Sequence, residues 1–218
     1  NSNLAASLLG NLRREKLSWT ALTSYFVYDV VYSHDSKHLL VANQSNQLVV
    51  LDVITHEMEF LRGHSDQILR IRFSKSGRYL ASSTWDGEVF IWDWTSKKIL
   101  HRLETDKGPH TGIAFSPDER TLAVGGTQGE IVLWDVQSGK KAGQFAAHSH
   151  EIRDLRFRPD GQFIASTGRD GKVKLWTPEG HLDHEFSMTQ TGSTLAYSAD
   201  GKRLLAGGYD KIVYVYDT

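Results

Sequence analysis

The chain has no cysteine among its 218 residues, so it carries no disulfide framework, no thiolate zinc site and no cysteine nucleophile. It is nearly free of net charge as well. The 25 Lys and Arg are balanced by 26 Asp and Glu, which removes the electrostatic argument for a nucleic-acid or membrane-surface partner. There is no apolar run of the roughly 18 residues a membrane span needs, and the N-terminus does not read as a signal segment. The sequence therefore predicts no nucleic-acid partner, no membrane partner and a cytoplasmic location. Helical periodicity is missing except near the N-terminus, where Leu4, Leu8 and Leu12 fall on one face of a short helix or linker over residues 1–15.

What is present is a repeat. "IWD" at Ile91–Asp93 returns as "LWD" at Leu133–Asp135 and "LWT" at Leu175–Thr177, with weaker copies "VLD" at Val50–Asp52 and "VYD" at Val215–Asp217. Their central residues, Leu51, Trp92, Trp134, Trp176 and Tyr216, are 41, 42, 42 and 40 residues apart. A second series keeps the same period: Tyr32-Ser33, Phe73-Ser74, Phe115-Ser116, Phe157-Arg158 and Tyr197-Ser198. Each is followed by turn residues such as Pro117-Asp118-Glu119 or Ala199-Asp200-Gly201.

Inside one unit the apolar residues alternate. Ile71 and Phe73 precede the turn at Ser76-Gly77, then come Leu80, a tight Asp86-Gly87 turn, Val89 and Ile91, and a fourth strand at Lys98–Leu103. One four-stranded sheet cannot bury both of its faces, but radially stacked copies can, so a period near 41 predicts an all-β chain folded as a β-propeller of four-stranded antiparallel blades. The expected blades are 23–62, 63–104, 105–146, 147–187 and 188–218. The stretch Lys16–Leu22 resembles the fourth strands Lys97–Leu103 and Lys140–Ala146, so it is expected to complete the last blade, hide its edge and close a ring of five.

The segments "GHSDQILRIRFSKSGRYLASSTWDGEVFIWD" (Gly63–Asp93) and "AHSHEIRDLRFRPDGQFIASTGRDGKVKLW" (Ala147–Trp176) resemble WD40 repeats, and the resemblance extends over residues 16–218. It implies a buried tetrad of His, Ser or Thr, Asp and Trp in each ideal blade. His64, Ser82, Asp86 and Trp92 match it, as do His148, Ser166, Asp170 and Trp176, with the first three lying 28, 10 and 6 residues before the Trp in both sets. The other blades depart, with Asp106, Val124 and Gln128 before Trp134, and Met188, Ala206 and Asp210 before Tyr216. Those blades are expected to rely on apolar packing.

Three constellations invite a catalytic or metal-binding reading and are set aside. Ser82, His64 and Asp86 have the residue types of a hydrolase triad, but a nucleophile needs an exposed hydroxyl and an oxyanion hole, and the repeat register puts all three inside a blade. His148 and His150, and His181 and His184, have no clustered carboxylates or thiolates to complete a metal site. The glycine pairs Gly125-Gly126 and Gly207-Gly208 lead into hairpins and not into helices, so they are not phosphate loops. The expectation is a non-enzyme without cofactor or metal.

Trp85 is the anomaly, a very large side chain just before the Asp86-Gly87 turn. The resemblance places this position, and two positions of the first strand, on the rim of the top face where the family binds partners. Carried onto this chain, those positions are Phe26, Tyr28 and Gln44; Gln67, Leu69 and Trp85; Pro109, Thr111 and Thr127; Glu151, Arg153 and Arg169; and Thr191, Ser193 and Tyr209. Aromatic residues and Arg dominate interface energetics, so Phe26, Tyr28, Leu69, Trp85, Arg153, Arg169 and Tyr209 are the candidate contacts for a protein or peptide partner. A scaffold or sensor module follows. The alternatives are a small-ligand receptor at the channel mouth and a regulatory domain within a larger signalling protein.

Overall fold

The turns show why the chain breaks where it does. At the end of the first strand of a blade, a serine hydroxyl donates to an aspartate two residues on: Ser33 to Asp35 (2.6 Å), Ser116 to Asp118 (2.5 Å) and Ser198 to Asp200 (2.6 Å). The same oxygen accepts the backbone N–H that opens the next strand, from His38, Thr121 and Arg203. Such side-chain bonds hold the backbone in a turn. The aspartate after the repeated Leu or Trp acts similarly at the next corner, where Asp52 Oδ1 accepts from Ile54 and Thr55, Asp93 from Ser96 and Asp135 from Ser138.

The computed structural model describes residues 25–106 and 108–218, which form nineteen strands in five antiparallel sheets. Blade 1 holds β1 (Val27–Tyr32), β2 (His38–Asn43), β3 (Gln47–Asp52) and β4 (Met58–Arg62). Blade 2 holds β5 (Ile68–Phe73), β6 (Tyr79–Thr84), β7 (Val89–Asp93) and β8 (Lys98–Leu103). Blade 3 holds β9 (Gly112–Phe115), β10 (Thr121–Gly125), β11 (Glu130–Asp135) and β12 (Lys141–Ala146). Blade 4 holds β13 (Ile152–Phe157), β14 (Ile164–Gly168), β15 (Lys172–Trp176) and β16 (Leu182–Ser187). Blade 5 holds β17 (Gly192–Tyr197), β18 (Arg203–Gly208) and β19 (Val213–Asp217). Strands pair in chain order within each sheet, as hairpins must.

The core lies between blades. Leu40 and Val50 of blade 1 pack with Ile68, Leu80, Phe90 and Trp92 of blade 2. Leu103 and Val89 meet Ile113, Leu122 and Trp134 between blades 2 and 3, and Ile131 meets Ile152, Leu155 and Trp176 between blades 3 and 4. Val173 and Leu175 of blade 4 pack on Leu195 and Leu204 of blade 5. Each blade so buries a face that it could not bury alone.

A second layer of bonds joins the innermost strands, which pack in sequence as β1 on β5, β5 on β9, β9 on β13 and β13 on β17. Asp29 accepts the Ile71 N–H (3.2 Å) and pairs with Arg72 (2.5 Å). Asp154, at the equivalent repeat position, accepts the Leu195 N–H (2.9 Å) and pairs with Arg156 (2.7 Å). Between blades 2 and 3, Arg70 Nε donates to the Thr111 carbonyl (3.2 Å), and between blades 3 and 4 the Thr111 hydroxyl donates to the Ile152 carbonyl (2.8 Å). Burial pushes the Asp154 carboxyl up, and the Arg156 guanidinium works against that shift.

Ring closure is expected to depend on the stretch before blade 1. The proposed closing strand at 16–22 and the short helix or linker at 1–15 lie outside the described residues. Among the described residues β17 does not pack on β1 as the other first strands pack on one another. Among the described residues blade 5 has three strands, and side chains of both end blades are exposed. Val30, Tyr32, Met58 and Phe60 are exposed on blade 1, and Leu205, Val213 and Val215 on blade 5. Among the described residues the five blades pack on one another in chain order as a row, and closure of blade 5 onto blade 1 is not shown. The expectation rested on strand order, which sets which strands could pair without bringing the end blades together.

Asp154→Ala should strip the Leu195 N–H and Arg156 of their shared partner at a cost of about 3 kcal/mol, the scale for breaking a buried pair from one side. Chemical denaturation checks this against Thr194→Ala, and equal losses would show that the carboxylate does not hold blades 4 and 5 together.

Candidate functional site

The buried polar sets fix the turns from which the rim projects. In blade 4 the Trp176 indole N–H donates to Ser166 Oγ (2.8 Å), which lies 2.7 Å from His148 Nε2, while His148 Nδ1 faces both Asp170 oxygens at 2.9 and 3.0 Å. Burial lowers the His148 pKa, leaving the ring neutral. A neutral ring with its N–H toward Asp170 accepts the Ser166 hydroxyl at Nε2, so every donor in the set is used. Burial raises the Asp170 carboxyl, and the bonds from His148 and the Ser149 and Lys172 amides outweigh it and hold the group below its usual range.

Blade 2 builds the same chain with one different member. Trp92 donates to Ser82 Oγ (2.8 Å), and Ser82 Oγ lies 2.6 Å from His64 Nε2. His64 Nδ1 then meets Glu88 Oε2 at 3.1 Å, and Asp86 is not its partner. Asp86 instead accepts from Ser65 Oγ (2.9 Å) and Thr84 Oγ1 (2.5 Å). The assignment of Asp86 to the buried set is therefore corrected to Glu88, whose longer side chain reaches the ring from two residues further on. The His64 ring also stacks on Phe90, with centroids 3.9 Å apart. Burial lowers the His64 pKa to about 4, against the pull of Glu88.

The blades expected to depend on apolar packing are more polar than that. In blade 3 the Trp134 indole N–H is buried without a partner, as Val124 in place of Ser requires. His110, buried in the same blade, bridges the Asp106 carbonyl (3.0 Å) and the Gly125 carbonyl (3.2 Å). In blade 5 the Tyr214 hydroxyl donates to Asp210 (2.8 Å) and accepts the Thr189 N–H (3.1 Å), joining loop to turn as His148 does in blade 4. Neither His110 nor Tyr214 stands at the spacing that marks the other sets.

The rim follows from one recurring backbone bond. The amides of Gln44, Trp85, Arg169 and Tyr209 donate to the carbonyls of Phe26, Gln67, Glu151 and Thr191, at 2.9, 3.0, 2.9 and 3.2 Å. Each turn residue is thereby pinned beside the start of its own innermost strand. Trp85 is 54% exposed although blade 2 has a blade packed on either side. Gly87, with φ of 109°, lets the following loop close in: a Cβ there would lie 2.5 Å from the Asp106 carbonyl oxygen. The Tyr28 hydroxyl donates across the blade boundary to Gln67 Oε1 (3.0 Å), and Tyr28 and Phe26 are 36% and 76% exposed. Tyr28 and Trp85 thus both bond Gln67, through its side chain and its carbonyl, and with Phe26, exposed two residues before Tyr28, they make the rim set of blades 1 and 2.

The remaining candidates do not join it. Leu69 is 6% exposed and belongs to the interior. Arg153 is half-buried against Glu151 (3.3 Å), with Nε sealed off and unpartnered, whereas Arg169 is exposed. Both lie on blade 4. Tyr209 is 63% exposed, but on blade 5 at the far end of the row. A closed ring would set Tyr209 beside blades 1 and 2, and a continuous patch across blades 5, 1 and 2 is not shown among the described residues.

Ser82 is wholly buried with its oxygen committed to Trp92 and His64, which leaves no open nucleophile. Among the described residues no group of three His, Asp or Glu is arranged to hold a metal ion. Two cavities, of about 460 and 510 Å³, open on the face opposite the rim, beside the turns at Ser116–Asp118 and Asp118–Arg120. Asp118, which lines both, is already engaged by the Ser116 hydroxyl and the Arg120 amide.

Comparison with known proteins agrees with this geometry. A family model described as WD domain, G-beta repeat matches residues 55–93, 139–177 and 183–217, more than half of the chain in total. A second, the anaphase-promoting complex subunit 4 WD40 domain, matches residues 105–152. The chain is similar to cilia- and flagella-associated protein 52 of Chlamydomonas reinhardtii, 47% identical over 54 residues, covering 22% of this chain and 9% of that protein. It is 33% identical over 69 residues to autophagy-related protein 16 of Arabidopsis thaliana, covering 31% and 14%. It is 28% identical over 94 residues to the intraflagellar transport protein 122 homolog of Mus musculus, covering 43% and 8%. The matched stretches therefore span a small part of each relative's length.

Two measurements test the polar sets. Trp92→Phe leaves Ser82 and His64 without their donor and should cost roughly 1–3 kcal/mol, whereas Trp134→Phe removes a donor that has no acceptor and should cost less. Equal losses in a denaturation series would contradict the bonding described. The second is acid titration. His64 binds its proton near pH 4 when folded and at an ordinary 6.5 when unfolded. The unfolded chain is then the better proton binder, so stability should fall as pH drops from about 6.5 toward 4, by on the order of 3 kcal/mol from this group, and stay level above 6.5. His148 acts in the same direction. Urea midpoints that do not fall across that window would show that the histidines are not held neutral.

Proposed function

The chain belongs to the WD-repeat family, whose domains serve generally as protein-interaction scaffolds, and from that premise we propose that it is a non-catalytic module that binds a protein or peptide partner through the rim around Trp85. One observation carries the reading. Trp85 is half exposed in a blade flanked on both sides, so its exposure does not come from an open end of the row, as that of Phe26 or Tyr209 can. Its turn is specified without the indole, through the Trp85 amide, the Asp86–Thr84 bond and Gly87. A large aromatic that the fold does not use is available to a partner.

Arg153 and Arg169 of blade 4 and Tyr209 of blade 5 are secondary contacts in this proposal, reached by a partner that extends over the face. No helix among the described residues is long and apolar enough to cross a membrane. The names of the relatives, cilia- and flagella-associated and intraflagellar transport proteins, support a scaffold working in the cytoplasm or cilium.

Trp85→Ala should change stability by under about 1 kcal/mol, as at other exposed positions, while weakening partner binding by about 2 kcal/mol or more, roughly thirtyfold. Thermal melts and a quantitative pull-down from lysate of the source cell check both values. A variant that unfolds, or that retains every partner, would make Trp85 a packing residue.

A further inference from the structure

The surroundings of Trp85 say what kind of partner segment the rim fits. Three acidic residues stand on the segments that hold the Trp85 turn. Asp86 follows Trp85 directly and Asp66 precedes Gln67, whose carbonyl receives the Trp85 amide. Asp106 lies in the loop that closes over the turn, where the Thr105 hydroxyl donates to the Gly87 carbonyl and the Gly108 amide to the Asp86 carbonyl. None of the three forms an ion pair with a described cation. Asp86 accepts only neutral hydroxyl and amide donors, and Asp66 accepts the Gln67 amide. The described arginines nearby are committed elsewhere: Arg70 to the Thr111 carbonyl, and Arg102 to the Gly63 carbonyl and the Phe90 ring. Lys107 lies outside the described residues. Blade 4 differs, because Arg153 is paired with Glu151 and Asp170 is held by His148.

An exposed aromatic surface inside a field of unpaired negative charge attracts a cation that carries an apolar stem. We propose that the Trp85–Tyr28 surface receives a Lys or Arg side chain from a basic segment of the protein partner, its stem lying on the indole and its head reaching Asp66, Asp86 or Asp106. This inference rests on the reading of Trp85 as a contact and adds the charge of what it contacts. The rim then discriminates by sign, since an acidic segment would bring like charge against three carboxylates.

The test uses immobilised pools of synthetic peptides of about a dozen residues, with Lys, Arg, Ala or Glu fixed at the centre and the flanks randomised. The whole 218-residue chain should be retained on the Lys and Arg pools at least about fivefold above the Glu pool, and the preference should weaken at raised ionic strength. Asp66→Asn combined with Asp106→Asn keeps the shape and the Asp66 acceptor and should remove the preference. Trp85→Ala should remove retention itself, and Lys98→Ala, exposed on the outer strand β8, should change neither. Equal retention on all pools, or a preference for Glu pools that Trp85→Ala abolishes, overturns the basic-segment inference and leaves the contact role of Trp85 standing. Retention that is the same for wild type and Trp85→Ala on every pool overturns both.

Discussion

A four-stranded sheet of alternating residues has two apolar faces and can bury neither without a neighbour. That constraint organises the molecule. It sets the repeat, because each blade must present to the next a face like the one it meets, and it places the core between sheets. The innermost strands carry the tightest part of this arrangement. Every described boundary between blades has a side chain from one innermost strand bonded to the backbone of the next: Asp29 to Ile71, Arg70 to Thr111, Thr111 to Ile152 and Asp154 to Leu195. The bonding groups vary and so does their place: Asp29, Arg70 and Asp154 share one repeat position, while Thr111 stands one residue earlier. The packing between blades is thus repeated more faithfully than the bonds that tie them.

The same contrast explains what the sequence revealed. Spacing exposed the five units, the hairpin order within them and the two buried Ser–Trp pairs, because alternation and turn chemistry are local and leave a periodic trace. It did not expose Glu88 as the partner of His64, since Asp86 stands at the matching offset and only side-chain reach decides between them. His110 and Tyr214 were hidden for a related reason. They bridge loop and turn from positions outside the repeat's spacing, so no periodic comparison finds them. Leu69 was misplaced because it lies at the irregularity between Ile68 and Arg70, where simple alternation does not assign a side; Tyr28 at the matching irregularity of blade 1 is exposed and Leu69 is buried. Closure of the row depends on how two distant faces meet, which strand order does not determine.

Trp85 stood out in the sequence only as a large residue where a small one would serve. The structure adds that the turn is complete without the indole, that Tyr28 bonds Gln67 across a blade boundary, and that three acidic residues without a described ion pair stand on the segments holding the turn. The buried polar sets and the rim are two layers of one turn. The inner layer holds the backbone, which leaves the outer side chain free to be chosen by what it touches.

The most direct measurement of that claim places a photoreactive residue at the corner itself. Trp85→p-benzoylphenylalanine, irradiated in extract of the source cell, should yield one discrete adduct that excess untagged wild-type chain suppresses. The same residue at Leu100, exposed on β8 of the same blade, should not yield it. No adduct from position 85, or the same set of products from both positions, would contradict the account and return Trp85 to the ordinary surface.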